Sequence, residues 1–322
     1  MISNRVILAI LTVFLLAGCA VIYCVDNDDY TATVNTDSGD VDYTISGFMP
    51  CDYTFKVYSN TDVPDRLYFY YDEDYEHFYD IERQKTFFND LERVLKARGY
   101  DRIQYVDADG LKGLIDDPSK AAGSELFLIS GMIPDTIYSA TEMRLTEWMD
   151  NGGTVFWAGP EIGLYVSHTD GYDEADNGRI LKDHVNGGIQ QDIRTISELG
   201  YVTGFSLNRH LQFGLEKDYP GAVCLSTCSD DYSSASVLKY SAGRIYIVGG
   251  DIMDSVITHH TALAEIIICG INENTVLKST ETFHKGYGDT SGTFDCPVVS
   301  GDVVLLTIGK PYSSWARAYP VA

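Results

Sequence analysis

Between residues 62 and 271, short β-prone runs alternate with amphipathic stretches, and this alternation constrains the fold more than any other feature of the chain. Arg66–Tyr71 is a continuous β-prone run rich in aromatic residues. Asp80–Arg98 has a helical period: Ile81, Phe87, Phe88, Leu91, Val94 and Leu95 recur at three-to-four spacing, and Gly99 can end the helix. Ile103–Val106 reads as a strand and Leu111–Asp117 as a short helix before Pro118. Leu126–Ile129 is a buried strand running into Ser130 and Gly131. Ser139–Glu142 has the capping-box pattern of a helix that ends at Asn151. Gly152 and Gly153 break that helix before the strand Thr154–Ala158. A helix is expected near Ile189–Leu199. Val237–Tyr240 and Arg244–Val248 flank a turn, and a last helix spans about Ser255–Cys269. Strand–helix alternation of this kind predicts an α/β domain: a mostly parallel sheet with helices on both faces.

The two ends read differently. Tyr30–Val34 and Val41–Ile45 flank a turn at Asp37–Asp40, and Tyr53–Tyr58 alternates again. Thr275–Thr282, Gly292–Val299 and Asp302–Ile308 are strand-like between glycine turns. Neither end holds enough strands to bury a sheet by itself. The expected organisation is therefore a terminal β module from residues 26–61 and 272–322, around an α/β domain at 62–271. Cys51 and Cys296 are candidates for a bridge closing the module. Cys224 and Cys228 form a second candidate pair, which can bridge only if their segment turns, because four extended residues span about 13 Å.

Residues 1–25 make a third part. Val6–Val25 carries no charge, and as a helix it would be about 30 Å long, enough to cross the hydrocarbon core of a bilayer. Asp26, Asp28 and Asp29 follow it; Arg5 and the terminal amine precede it, and positive residues near a span stay in the cytoplasm, so the tail is expected inside and the bulk of the chain outside. An uncleaved single-pass anchor is the favoured reading. Leu16–Cys19 also resembles a bacterial lipobox, and a cleaved signal peptide is the third reading. All three are extracytoplasmic, with the membrane as a partner. The 47 acidic residues against 23 basic ones, a net charge of −24, exclude nucleic acid as a partner.

The strand entering Ser130-Gly131, the run Gly152-Gly153-Thr154-Val-Phe-Trp-Ala-Gly159 and the late Gly243-Arg-Ile-Tyr-Ile-Val-Gly-Gly250 together resemble a class I glutamine amidotransferase-like, flavodoxin-like domain. That superfamily includes ThuA-like proteins and the trimerisation domain of some β-galactosidases. The resemblance implies a nucleophilic cysteine in the turn after Ala158, a histidine and glutamate after the late strand, and an oxyanion-hole glycine at Gly131. The turn here is Ala158, Gly159 and Pro160, with no thiol or hydroxyl. The late strand runs into Gly249–Asp254 without a histidine. Glutaminase chemistry is not expected, and no catalytic residue is assigned.

Ligands of open α/β sheets bind beyond the carboxyl ends of the strands. Asp72, Glu73 and Asp74 lie there after the first strand, Asp107 and Asp109 after the second, Asp135 after the third, Glu161 after the fourth and Asp251 after the last. Asp72, Asp74, Asp107, Gly131, Glu161 and Asp251 are the ligand-binding candidates. Asp72, Asp74 and Asp251 are the candidates for a hard cation such as Ca²⁺ or Mg²⁺, the only cofactor class implied. The competing reading is a solvated acidic rim. His77 and His168 lie near the same ends, His260 on an apolar helix face, and Tyr68, Tyr70, Tyr71, Tyr75 and Tyr79 in the first strand and its loop. The functional expectation is a membrane-anchored extracytoplasmic protein with a non-catalytic amidotransferase-like domain, binding or assembling with a cell-surface protein or glycan. Two alternatives stay open: an extracytoplasmic hydrolase, glycan-related or metal-assisted, using the acidic strand ends, and a structural envelope component.

Overall fold

The computed structural model describes residues 30–37, 39–139, 143–175, 179–181, 184–187, 195–196, 213–227, 229–253, 258–270, 272–309 and 315–321. The chain divides into two compact units, one holding residues up to Val57 and from Leu277 onward, the other Tyr58–Val276.

The first unit has two sheets. One orders Thr31–Asn35, Val41–Ser46 and Thr290–Phe294; the other orders Val276–Lys285, Cys51–Ser59, Val303–Ile308 and Trp315–Pro320. Alternation sets the inner faces: Val41, Tyr43 and Ile45 on one strand and Tyr53, Phe55 and Val57 on another share a core with Phe294, Val304, Leu306 and Ile308. Phe55 is fully buried and stacks on Phe294 with centroids 5.5 Å apart. Burial of such a ring is worth about 1.5–3 kcal/mol. The candidate bridge between Cys51 and Cys296 is not formed. The Cys51 thiol bonds with Tyr30 and the Cys296 thiol with Ser279, and each is pushed up in pKa mainly by burial. Cys228 lies outside the described residues.

The second unit is built on a mixed sheet. Its order is Val185–Gly187, Phe213–Glu216, Tyr232–Tyr240, Gly243–Val248, Thr154–Ala158, Ser124–Leu128, Arg66–Tyr70 and Ile103–Val106, with Ala222–Thr227 also paired to Tyr232–Tyr240. Only the last five in that order run parallel; the others join antiparallel. This corrects the expected helix-rich, mostly parallel α/β class. The protein is β-rich, with four α-helices among the described residues: Ile81–Ala97, Ala108–Ile115, Leu145–Asp150 and Thr258–Cys269. The cause is connection length. A parallel neighbour needs a crossover of a dozen residues or more, whereas two residues, Ser241 and Ala242, separate Tyr240 from Gly243 and force a hairpin.

Helix Ile81–Ala97 begins where the Asp80 carboxylate accepts from the Arg83 amide, and it buries Phe87, Phe88, Leu91 and Leu95. Phe88 stacks on Phe69 of the sheet at 4.6 Å. Helices Ala108–Ile115 and Leu145–Asp150 share a core with Tyr68, Leu126, Leu128, Val155 and Trp157. The capping box at Ser139–Glu142 does not open the helix that follows. Residues 140–142 lie outside the described set, Tyr138 bridges to Met143, and the helix starts at Leu145 without a side-chain cap. Of the helix expected at Ile189–Leu199, the described residues Thr195 and Ile196 form a strand against Ser226 and Thr227.

No helix among the described residues is long and apolar enough to cross a membrane. This corrects the expected transmembrane helix, and with it the single-pass placement and the membrane as a partner. The Val6–Val25 segment lies outside the described residues.

Candidate functional site

Of the residues predicted at the carboxyl edge, Asp72, Asp107, Glu161 and Asp251 have local partners. Asp72 Oδ2 accepts from the Ala108 amide at 2.9 Å and Oδ1 from the Asp74 amide at 3.0 Å. The Asp107 carboxylate accepts from the Gly110 amide at 2.7 Å. Both acids thus serve the positive start of helix Ala108–Ile115. Glu161 lies 3.9 Å from Arg179, which also pairs with Glu174. Asp251 takes Arg83 at 2.9 Å and the Met253 amide at 2.7 Å. Among the described residues no group of three or more His, Cys, Asp or Glu is placed to hold a metal ion.

The turns themselves are filled. Gly131 has φ +77°, and a Cβ there would meet Pro160 and Tyr79 at 3.0 Å and Phe78 at 3.1 Å. Gly159 has φ +146°, and a Cβ there would lie 2.7 Å from Gly131 Cα. Trp157 Nε1 donates to the Pro160 carbonyl at 2.7 Å and ties the turn down. Glu76 closes the preceding loop, accepting from the Phe78 and Tyr79 amides and from Gln84, with its pKa raised by burial.

One cluster of titratable groups sits at this edge. His168 Nδ1 lies 2.9 Å from Asp135 and Nε2 lies 3.4 Å from Asp173. His77 Nε2 contacts the His168 carbonyl at 2.7 Å, and Tyr75 bonds to Asp135. The Asp135 hydrogen bond is the main cause of a raised His168 pKa. The imidazole joins two carboxylates, so it works as a pin between the hairpin Tyr165–Glu174 and the turn at Asp135. Tyr68 and Tyr70 are core residues, and His260 is buried against Phe87.

The feature that sequence reasoning missed is at the opposite edge. A cavity of about 150 Å³ opens at the amino ends of the parallel strands. Ser124, Glu125, Thr154, Arg244 and Tyr246 line it from the sheet, with Leu263 and Ile267 from the last helix and Asp62 and Glu273 from loops. Arg244 is fixed there by Glu273, through Nε to Oε2 and Nη2 to Oε1 at 3.4 Å, and by Asp62 at 3.5 Å. Glu125 is 7 % exposed and makes no side-chain hydrogen bond among the described residues. Burial pushes its carboxyl up to about 8, Arg244 lowers it and Asp62 raises it. The signal was an acid inside the buried strand Ser124–Leu128, otherwise Leu-Phe-Leu after a serine.

No known family model matches the chain, and no curated protein matches it. Solved structures similar to it include an exo-beta-1,4-mannosidase from Opitutaceae bacterium strain TAV5, at 14 % identity and TM-score 0.37, covering 63 % of this chain and 35 % of that one. A beta-galactosidase from Rahnella sp. R3 is 14 % identical at TM-score 0.37, covering 80 % of this chain and 40 % of that one. A cytoplasmic protein from Salmonella typhimurium is 12 % identical at TM-score 0.34, covering 62 % of this chain and 96 % of that one. The chain thus spans well under half the length of the mannosidase and galactosidase. Likeness at these scores carries no argument about fold or activity.

Proposed function

We propose that this chain is a binding protein and not an enzyme, its second unit having no working site at the carboxyl edge of its sheet among the described residues. One observation carries the reading: the turn Ala158-Gly159-Pro160 holds no nucleophile and is packed against Gly131 with Tyr79 and Phe78 over it. A reacting carbonyl needs a nucleophile beside oxyanion donors, with room for substrate between them. Here neither the group nor the room is present. Within this proposal, the resemblance to amidotransferase-like proteins stands as kinship of two glycine turns, not of the whole sheet. Recognition then falls to the amino edge, where a cavity and a buried carboxyl meet.

The test is an assay of the purified protein for glutamine hydrolysis and for cleavage of nitrophenyl esters and glycosides. No turnover above buffer is expected. Turnover that disappears in His168→Ala or Asp135→Asn would overturn the reading and favour a hydrolase built on that pair.

A further inference from the structure

The cavity at the amino edge has a defined chemistry. Its charged groups are Glu125, Glu273 and Asp62 against Arg244 and Lys239. The Glu273 side chain is 8 % exposed and is spent on Arg244, three of whose five N–H donors go to Glu273 and Asp62. Two carboxylates already balance the guanidinium charge, so it offers little attraction to an incoming anion. Glu125 is the group without a hydrogen bond, on the wall of the cavity. A buried carboxyl without a partner costs free energy until a donor or cation meets it. Part of the lining is apolar: Phe156 on the adjacent strand is 1 % exposed, and Leu263 and Ile267 on the last helix are 3 %. At about 30 Å³ per water, the volume admits a molecule of only a handful of heavy atoms.

We propose that this cavity binds a small primary alkylammonium ion. Its charged end meets the Glu125 carboxylate, and its short chain lies against Phe156, Leu263 and Ile267. The proposal deepens the binding reading above and rests on it for function alone; the site itself is assembled from other residues. The groups facing Glu125 are Arg244 and Tyr246 on the strand Gly243–Val248, two away in the sheet, Asp62 and Glu273 on loops, Lys239 at the rim and Tyr100, whose hydroxyl donates to the Pro64 carbonyl at 2.9 Å. Arg244 keeps its charge through the range, and the Tyr246 and Tyr100 hydroxyls are raised by burial, so Glu125 is the group that titrates near neutrality. Binding the cation selects the ionised carboxyl, and the proton leaves to solvent.

The experiment is calorimetric titration of the full chain with n-butylammonium chloride at pH 7.0 and 8.5, each in two buffers of different ionisation enthalpy. For a carboxyl near 8 the affinity should rise roughly eightfold between those pH values, and proton release should fall from about 0.9 to about 0.2 per site. Glu125→Gln should weaken binding at least about tenfold. A ¹³C titration of wild-type glutamate side chains needs no variant and should show one high-pKa carboxyl moving down as butylammonium is added. Three results would overturn the proposal: no heat at 50 mM (a probe concentration of about fiftyfold over a millimolar site), equal binding by ammonium chloride, or equal binding by folded Glu125→Gln. Failure here with no turnover in the hydrolase assays removes the alkylammonium and leaves the binding reading. Turnover removes the binding reading whatever the amine does.

Discussion

Arg83 on helix Ile81–Ala97 reaches Asp251, on the loop after the strand Gly243–Val248, with Nη2 to Oδ2 at 2.9 Å. The carboxylate is 10 % exposed and the arginine 42 %, so the pair joins a buried acid to a half-solvated base. Removing the arginine leaves Asp251 with the Met253 amide as a donor. Arg83→Met is expected to cost about 1–2 kcal/mol in urea unfolding, and Asp251→Asn less, because the amide needs no counter-charge.

Lys285 is the corresponding case in the first unit. It is 1 % exposed, and its ammonium donates to the carbonyls of Gly47 at 2.6 Å, Met49 at 3.1 Å and Gly286 at 3.2 Å. It binds two turns from below, on which Phe48 and Tyr287 are exposed with rings 5.5 Å apart. Lys285→Met should lose roughly 2–4 kcal/mol in denaturant titration. Lys285→Arg should not restore it, since a planar fork cannot reach three carbonyls arranged about a point.

Glu125 makes stability depend on pH. Its folded pKa of about 8 lies above its ordinary value of 4.5, so the folded state binds the proton more tightly. The favourable contribution is fully present below pH 4.5 and is lost as pH rises through 8. Unfolding free energy should fall by on the order of 4 kcal/mol between pH 5 and 8 from this group. Glu125→Gln should flatten that slope. A wild-type curve without it would contradict the burial of the charge.

Gly159 tests the filled turn. Gly159→Ala places a methyl 2.7 Å from Gly131 Cα at φ +146° and should cost roughly 2–4 kcal/mol. Gly39 has φ +86° with nothing within 4 Å, so Gly39→Ala carries the conformational cost alone, about 1 kcal/mol. Thermal melts of the two variants separate strain from collision.

His168 should titrate above its ordinary value, since Asp135 holds the imidazolium. Its contribution to stability is present below pH 6.5 and is lost as pH rises through the raised pKa. Asp135→Asn should bring the imidazole NMR midpoint down, and an unchanged midpoint would remove Asp135 as the cause.

The legible parts of this fold are those set by neighbours in sequence. Helix Ile81–Ala97 showed in its apolar period, with Asp80 before it and Gly99 after. Sheet direction beyond Thr154–Ala158 did not show, because the two-residue turn at Ser241-Ala242 reads as local detail yet reverses the strand. The capping-box pattern at Ser139 misled because a bridge at Tyr138 and Met143 intervenes before the helix. The acids at the strand ends could be placed but not partnered: Arg83 lies 168 residues from Asp251, beyond any local pattern. Glu125 was visible as a charge in a greasy strand. What made it a site, the Arg244–Glu273 pair and the helix wall, exists only after folding.

The first unit draws its strands from both Thr31–Ser59 and Val276–Pro320, while Tyr58–Val276 is one uninterrupted stretch. During synthesis the uninterrupted stretch can condense as soon as it clears the ribosome. The early strands must wait, greasy faces unsealed, until their partners Val276–Lys285, Thr290–Phe294 and Val303–Ile308 have been made. A nascent chain stalled before that point is a half-built sandwich, and it is there that chaperones would find their hold.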